Sequence, residues 1–175
     1  MKLSKIILLL SSLTVSLGAT AAEHLYLQLP VQYGQNAYVM PRIKSECDLE
    51  REMAVSAEAG INKRYGPVAV AAKNEDLGNE KVVNITITSV NAIGGGQWTG
   101  PKSMTVLAEL KQGDTVLGSK MLSRATGHGG LFAGGTCAML QKVARALGAD
   151  VGVWLKRGAA NGAQETAEKT TDDPT

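Results

Sequence analysis

After its first 21 residues this chain has no apolar run approaching the roughly 20 residues of a membrane-crossing helix, which excludes a later transmembrane span. Cysteine and histidine are scarce, two of each. Neither Cys47 nor Cys137 belongs to a Cys-x-x-Cys pair, and His24 and His128 lie far apart, so the four make a poor zinc signature. No metal and no cofactor is expected. The Gly-x-Ser-x-Gly nucleophile motif is also missing. His128 has no carboxylate or serine partner identifiable in sequence, and no catalytic residue is assigned. An excess of one charge is lacking too. The 18 Lys and Arg stand against 16 Asp and Glu, but two of the bases, Lys2 and Lys5, sit in the first 21 residues, and without them the balance is 16 to 16. A formally neutral remainder gives no charge grounds for a nucleic-acid or anionic-membrane partner. Aromatics are only 4%, yet 44% hydrophobic residues suffice for one core in a domain of about 135 residues.

The first segment has a positive content of its own. Lys2 and Lys5 precede an apolar run from Ile6 to Leu10 that continues less strictly to Leu17, and Ala19-Thr20-Ala21 follows. A charged start, a short apolar middle and small residues at a cleavage point are the marks of a secretory signal, so residues 1–21 are expected to be removed near Ala21 or Ala22. No cysteine stands beside that point, and a lipid-anchored product is not expected. The remaining chain is read as a periplasmic protein, one α+β domain over 22–157. Residues Gly158 to Thr175 contain no hydrophobe larger than Ala and read as a disordered tail, unable to offset the entropy of ordering.

Periodicity changes several times between these ends. His24 to Gln28 reads as a short strand with Leu25 and Leu27 on one face. Ser45 and Asp48 resemble a capping box opening a helix to about Tyr65, where Leu49, Met53, Ala57 and Ile61 recur at steps of four. Gly66-Pro67 ends it, and Val68 to Lys81 is ambiguous between strand and loop. Val83, Ile85 and Ile87 alternate with polar residues, as do Met104, Val106, Ala108 and Leu110. Gln112-Gly-Asp114 supplies turn chemistry for a hairpin into Thr115 to Arg124. The last element is a helix capped at Thr136, whose apolar arc runs from Met139 to Leu155, opposite Gln141, Lys142, Arg145 and Gly148. Together these imply a two-layer domain: an antiparallel sheet of three to four strands with two helices on one face.

Cys47 and Cys137 each fall in the first turn of one expected helix. Side-by-side helices with neighbouring N-termini would bring the sulfurs together, and an oxidising compartment favours the bond. Two glycine-rich loops attract functional readings. Gly127 to Thr136 leads from a strand into a helix N-terminus, as phosphate loops do. Read from Gly129 it approaches a Walker pattern, but Gly135 stands where the lysine belongs, so its glycines are more simply read as permitting positive φ and close backbone approach, with Leu131 and Phe132 plugging the core. The other loop, Gly94 to Pro101, carries Trp98, which is either an interface anchor or, more commonly, a lid on the sheet core. Lys102 and Arg124 would flank it as solvated charges. Trp98, Lys102, Arg124 and His128 thus form the candidate binding surface. Glu50 falls near the apolar side of its helix and is most simply a first-turn dipole residue.

Residues 85–104, together with Arg124, Gly129-Gly-Leu-Phe132, Cys137 and the run from Ala146 to Leu155, resemble a family of small exported proteobacterial proteins of unknown function. The order of strand, hairpin, glycine-rich loop and terminal helix is more remotely similar to domains of unknown function in bacterial envelope lipoproteins, from which this chain departs by lacking the lipid-attachment cysteine. The resemblance implies export and a two-layer fold and assigns no activity. The expected function is a non-enzymatic binding or envelope-assembly module whose partner is another envelope protein. The alternative is a small-molecule or glycan-binding protein, or a weak hydrolase using His128 and an acid at the glycine-rich loops.

The periplasmic protein is expected to contain no free thiol and to lose stability on reduction, by about 4 to 5 kcal/mol for so long a closed loop. Thiol titration in denaturant checks this, and two free thiols would remove the disulfide reading.

Overall fold

The computed structural model describes residues 24–73, 75–92, 101–126 and 135–160. The signal segment, Trp98, His128 and most of the tail lie outside the described residues. Six strands and three helices follow in the order β1 (Leu25–Leu29), β2 (Gln32–Tyr38), α1 (Pro41–Glu46), α2 (Leu49–Arg64), β3 (Ala69–Ala72), β4 (Lys81–Asn91), β5 (Ser103–Gln112), β6 (Thr115–Ala125) and α3 (Thr136–Ala160). The last helix therefore runs past Gly158, where the tail was expected to begin.

The fold is α+β, but its sheet is larger than three to four strands and is mixed rather than antiparallel. The strand order is β3-β1-β4-β5-β6, with β2 also paired to β4. Only the β4–β5 and β5–β6 ladders are antiparallel. Leu25 to Leu27 run parallel to Lys81 to Val83, while Gln32 and Tyr33 continue along the same edge of β4 beside Thr86 and Ile87. Alternation shows which face of a strand is buried, not its direction. Direction comes from the path of the chain, which leaves β2 through α1 and α2 before returning to β3, parallel to β1. β2 escapes a periodicity reading because Gln32-Tyr-Gly-Gln-Asn-Ala-Tyr38 has no apolar alternation.

The core lies between one face of this sheet and the two long helices. Leu25, Leu27, Val83, Ile85, Ile87, Met104, Val106 and Ala108 of the strands join Leu49, Met53, Ala57 and Ile61 of α2 and Leu140, Val143, Leu147, Val151 and Leu155 of α3 in one buried cluster. Along β4 the buried positions are odd up to Ile87 and then shift to Val90. The β4–β5 register slips between Ile87 and Ser89, and one extra residue in a strand exchanges its faces.

Helix starts differ from the expected capping box. Ser45 lies inside α1, where its hydroxyl donates to the Arg42 carbonyl. Asp48 is the N-cap of α2, in the left-handed region at φ 44°, with no side-chain cap bond. Gly148 is the larger correction. Expected on the polar side of α3, it is instead buried against α2: a Cβ there would overlap the Ser56 carbonyl, one on Gly60 would overlap the Gly148 carbonyl, and one on Gly152 the Gly60 carbonyl. The two backbones touch, so glycine is required for its lack of a side chain. On a helical wheel a glycine reads as polar or neutral, and nothing in periodicity distinguishes a contact glycine from an exposed one.

Gly148→Ala is accordingly expected to cost about 3 kcal/mol or more, the upper end for overpacking, since rigid backbone must move. Gly158 has no atom near its missing Cβ, and Gly158→Ala is expected to be neutral or to stabilise by up to about 1 kcal/mol. Denaturant unfolding of both variants checks the contrast.

Candidate functional site

The β4–β5–β6 meander brings the ends of the two glycine-rich segments together. Asn91 stands opposite Ser103, and Ser103 opposite Ala125, so the chain that leaves β4 after Asn91 returns to the sheet at the start of β5, beside the end of β6. The ladder extends one step further. The Thr126 N–H donates to the Lys102 carbonyl at 2.8 Å, and the Lys102 N–H donates to Thr126 Oγ1 at 3.0 Å. The chain position where the first segment ends and the one where the second begins are therefore fastened to each other.

Lys102 itself is not part of an exposed surface, contrary to the sequence expectation. Its side chain is fully buried, at 0% exposure. An ammonium is tolerated there only with partners, and Lys102 does not lack them. Alternation explains the placement: Lys102 precedes buried Met104 by two positions on the core side of the strand, where only residue type suggested solvent. Arg124 remains half exposed but is engaged, with Nε and Nη2 on the two carboxylate oxygens of Asp150 at 2.6 and 2.7 Å. Hydrogen bonding to Asp150 and then its charge raise the guanidinium pKa further above its ordinary value. This forked pair ties β6 to α3, and on the other flank of α3 Arg145 reaches Glu52 of α2 at 3.0 Å.

Cys47 and Cys137 are joined, with Cα atoms 4.9 Å apart across a sequence separation of 90. Cys137 is in the first turn of α3 as expected. Cys47 instead ends α1, two residues before α2 starts. The bond still fastens the two helix N-termini to each other.

A second cluster was not assembled by the sequence reading. Glu50 Oε1 accepts the Tyr33 N–H at 3.3 Å, and Lys44 Nζ stands 4.9 Å from the centre of the Tyr33 ring. The Tyr33 hydroxyl is buried without a hydrogen-bond partner. Its pKa is pushed up to about 12, by burial first and then by the charges of Glu50 and Asp48. Glu50 thus does more than sit in a first turn: it bonds strand β2 to helix α2. Its place near the apolar side of the helix was the one sequence signal for this. Among the described residues no group of three His, Cys, Asp or Glu could hold a metal, and no helix is long and apolar enough to cross a membrane.

No family model matches the chain, and no curated protein does. Solved structures do. The PelC dodecamer from Paraburkholderia phytofirmans is similar at 17% identity over 77% of this chain and 87% of that one, with a TM-score of 0.51. A Xanthomonas campestris protein of the DUF330 family is similar at 11% identity over 81% of this chain and 87% of that one, with a TM-score of 0.53. These likenesses show a shared fold, and one of them is to a DUF330 protein, consistent with the resemblance to proteins of unknown function.

Tyr33 generates a pH prediction. Tyrosine in an unfolded chain ionises near 10, whereas Tyr33 in the folded chain holds its proton to about 12. As pH rises the unfolded state loses the proton first, so this residue's contribution to stability is intact below about 10 and is lost progressively between about 10 and 12. Tyr33→Phe is expected to remove that increment of alkaline destabilisation. At neutral pH it should leave stability equal or higher, because the deleted hydroxyl has no partner. Denaturant midpoints of both proteins across the alkaline range check this.

Proposed function

We propose that this protein is exported to the periplasm and serves the cell envelope as a binding or assembly module that performs no chemistry of its own. The observation that carries the reading is the Cys47–Cys137 bond at the N-terminal ends of the two long helices, a cross-link suited to an oxidising compartment. It agrees with the signal-like residues 1–21. The fold likeness to PelC, which is a dodecamer, supports a part in assembly, and the DUF330 likeness adds no activity to it. The working surface is assigned to the shared base of residues 94–102 and 127–135, where one glycine-rich segment enters β5 beside the end of β6 from which the other departs. Lys102 belongs to the support of that surface, and Arg124 to the strut holding α3.

Photo-crosslinking from positions in those two segments, in the intact envelope, tests the reading. The expected result is one or a few identified envelope proteins, captured from both segments. Uniform labelling of abundant proteins, or turnover of a glycan or ester by the purified chain, would overturn it. Trp98 is treated as a lid on the end of the core, and Trp98→Ala is expected to cost roughly 3 to 5 kcal/mol. An unchanged unfolding midpoint with lost capture would make it the partner's anchor instead.

A further inference from the structure

The two long helices cover one face of the sheet, and the other face carries a band without charges. Across four neighbouring strands, Tyr38 of β2 stands beside Ser89 of β4, Ser89 beside Thr105 of β5, and Thr105 beside Ser123 of β6. Met104 and Val106, on either side of Thr105 in sequence, are buried in the core, so this row projects away from the helices. The adjoining rows, from Asn91 to Ala125 and from Gln32 to Met121, also hold no Asp, Glu, Lys or Arg. Charges begin beyond them, where Glu109 and Lys111 pair with each other at 3.7 Å. At the β2 margin, Lys73 Nζ donates to Gln32 Oε1 at 3.0 Å. Two register slips meet at the Tyr38 row: the β2–β4 ladder skips from Tyr33 to Tyr38, and the β4–β5 ladder from Ile87 to Ser89. Bulges of this kind re-aim side chains and are over-represented next to functional sites. Tyr38 is 70% exposed, the highest value for any large apolar side chain among the described residues.

We propose that this row binds a neutral, extended glycan chain, β-1,4-linked and laid across the strands. The inference goes beyond the envelope reading, which concerns the end of the sheet and not its face. Charge selects the class of ligand: an uncharged polar chain covers a band without ions and leaves no ion stranded out of water. The row is amphipathic in the way a sugar is. The Tyr38 ring offers an apolar plate to the C–H face of one hexose, while the hydroxyls of Ser89, Thr105 and Ser123 can each donate and accept, as sugar hydroxyls do. Thr105 Oγ1 donates to Ser123 Oγ at 3.0 Å, which leaves the Ser123 hydrogen and the Thr105 lone pairs for the ligand. A protein partner is the poorer fit, because protein interfaces have an apolar centre and the centre of this row is hydroxyl. Spacing selects the linkage. Neighbouring strands lie about 4.8 Å apart, close to the advance of one ring along a flat β-1,4 chain, so four strands meet four successive rings. An α-linked chain coils and does not keep that step.

The test titrates the chain without residues 1–21, its disulfide intact, with N-acetylchitooligosaccharides of increasing length up to the hexamer and with cellohexaose, followed by calorimetry and amide chemical shifts. Affinity is expected to rise with length up to the tetramer and then to level off, one ring for each strand of the row, with the largest shifts at Ser89, Thr105 and Ser123. Tyr38→Ala is expected to weaken binding of the hexamer by roughly tenfold or more, the loss typical of an aromatic anchor. Tyr38→Phe keeps the ring and is expected to keep the affinity. At so exposed a side chain neither variant is expected to move the unfolding midpoint, and added salt is expected to leave the affinity of this neutral ligand unchanged. A chain that binds neither hexasaccharide at millimolar concentration would overturn the proposal. Affinity untouched by Tyr38→Ala, binding abolished by salt, or shifts confined to the helix side or to the two glycine-rich segments would overturn it as well. None of these outcomes bears on capture of an envelope partner by those segments, because the titration contains no other protein.

Discussion

Contact between the backbones of α2 and α3 is the constraint on which the rest depends. Gly148 fits against Ser56, and Gly60 against Gly148 and Gly152. A glycine inside a helix costs about 1 kcal/mol relative to alanine, so a helix carrying two at the contact is stable only because the closeness they permit is used. The matched pairs ascend together: Glu52 with Arg145, Ser56 with Gly148, Gly60 with Gly152. The helices are therefore parallel. Parallel packing puts both N-termini at one end, which is why Cys47 and Cys137 meet there, and it leaves the outer flank of α3 for Asp150 to receive Arg124.

The antiparallel half of the sheet was legible because β4 as far as Ile87 and β5 alternate cleanly and Gln112-Gly-Asp114 names its own turn, with Gly113 at φ 54° as such turns require. The parallel half was not. β1 shows its buried face through Leu25 and Leu27, but β2 has no apolar alternation and β3 is four residues long. Both owe their place to the backbone path and to neighbours already fixed, and no local pattern encodes that. The helix faces were legible wherever large hydrophobes mark them and illegible at Gly148, where burial requires a side chain to be missing.

At the candidate site, residue type misled where position was informative. Lysine suggested solvent for Lys102, while its spacing from Met104 pointed inward. Glu50 carried the same kind of conflict, an acid close to an apolar arc, and the structure resolves it with a bond to the Tyr33 backbone. Charged residues at positions whose periodicity assigns them to the interior deserve a partner search before they are read as surface. The cysteine pairing was legible because there were only two to pair and both adjoined helix starts.

Residues 127–134 are bracketed by two firm attachments. Thr126 is fastened to Lys102 through its own N–H and its hydroxyl, and Cys137 is bonded to Cys47. Because the ends are held by bonds that do not involve the intervening residues, the length of that segment is nearly independent of the frame: doubling a loop adds only about 0.6 kcal/mol of closure entropy. Descendants of this chain are free to lengthen, shorten or rewrite the segment without renegotiating the architecture that brackets it.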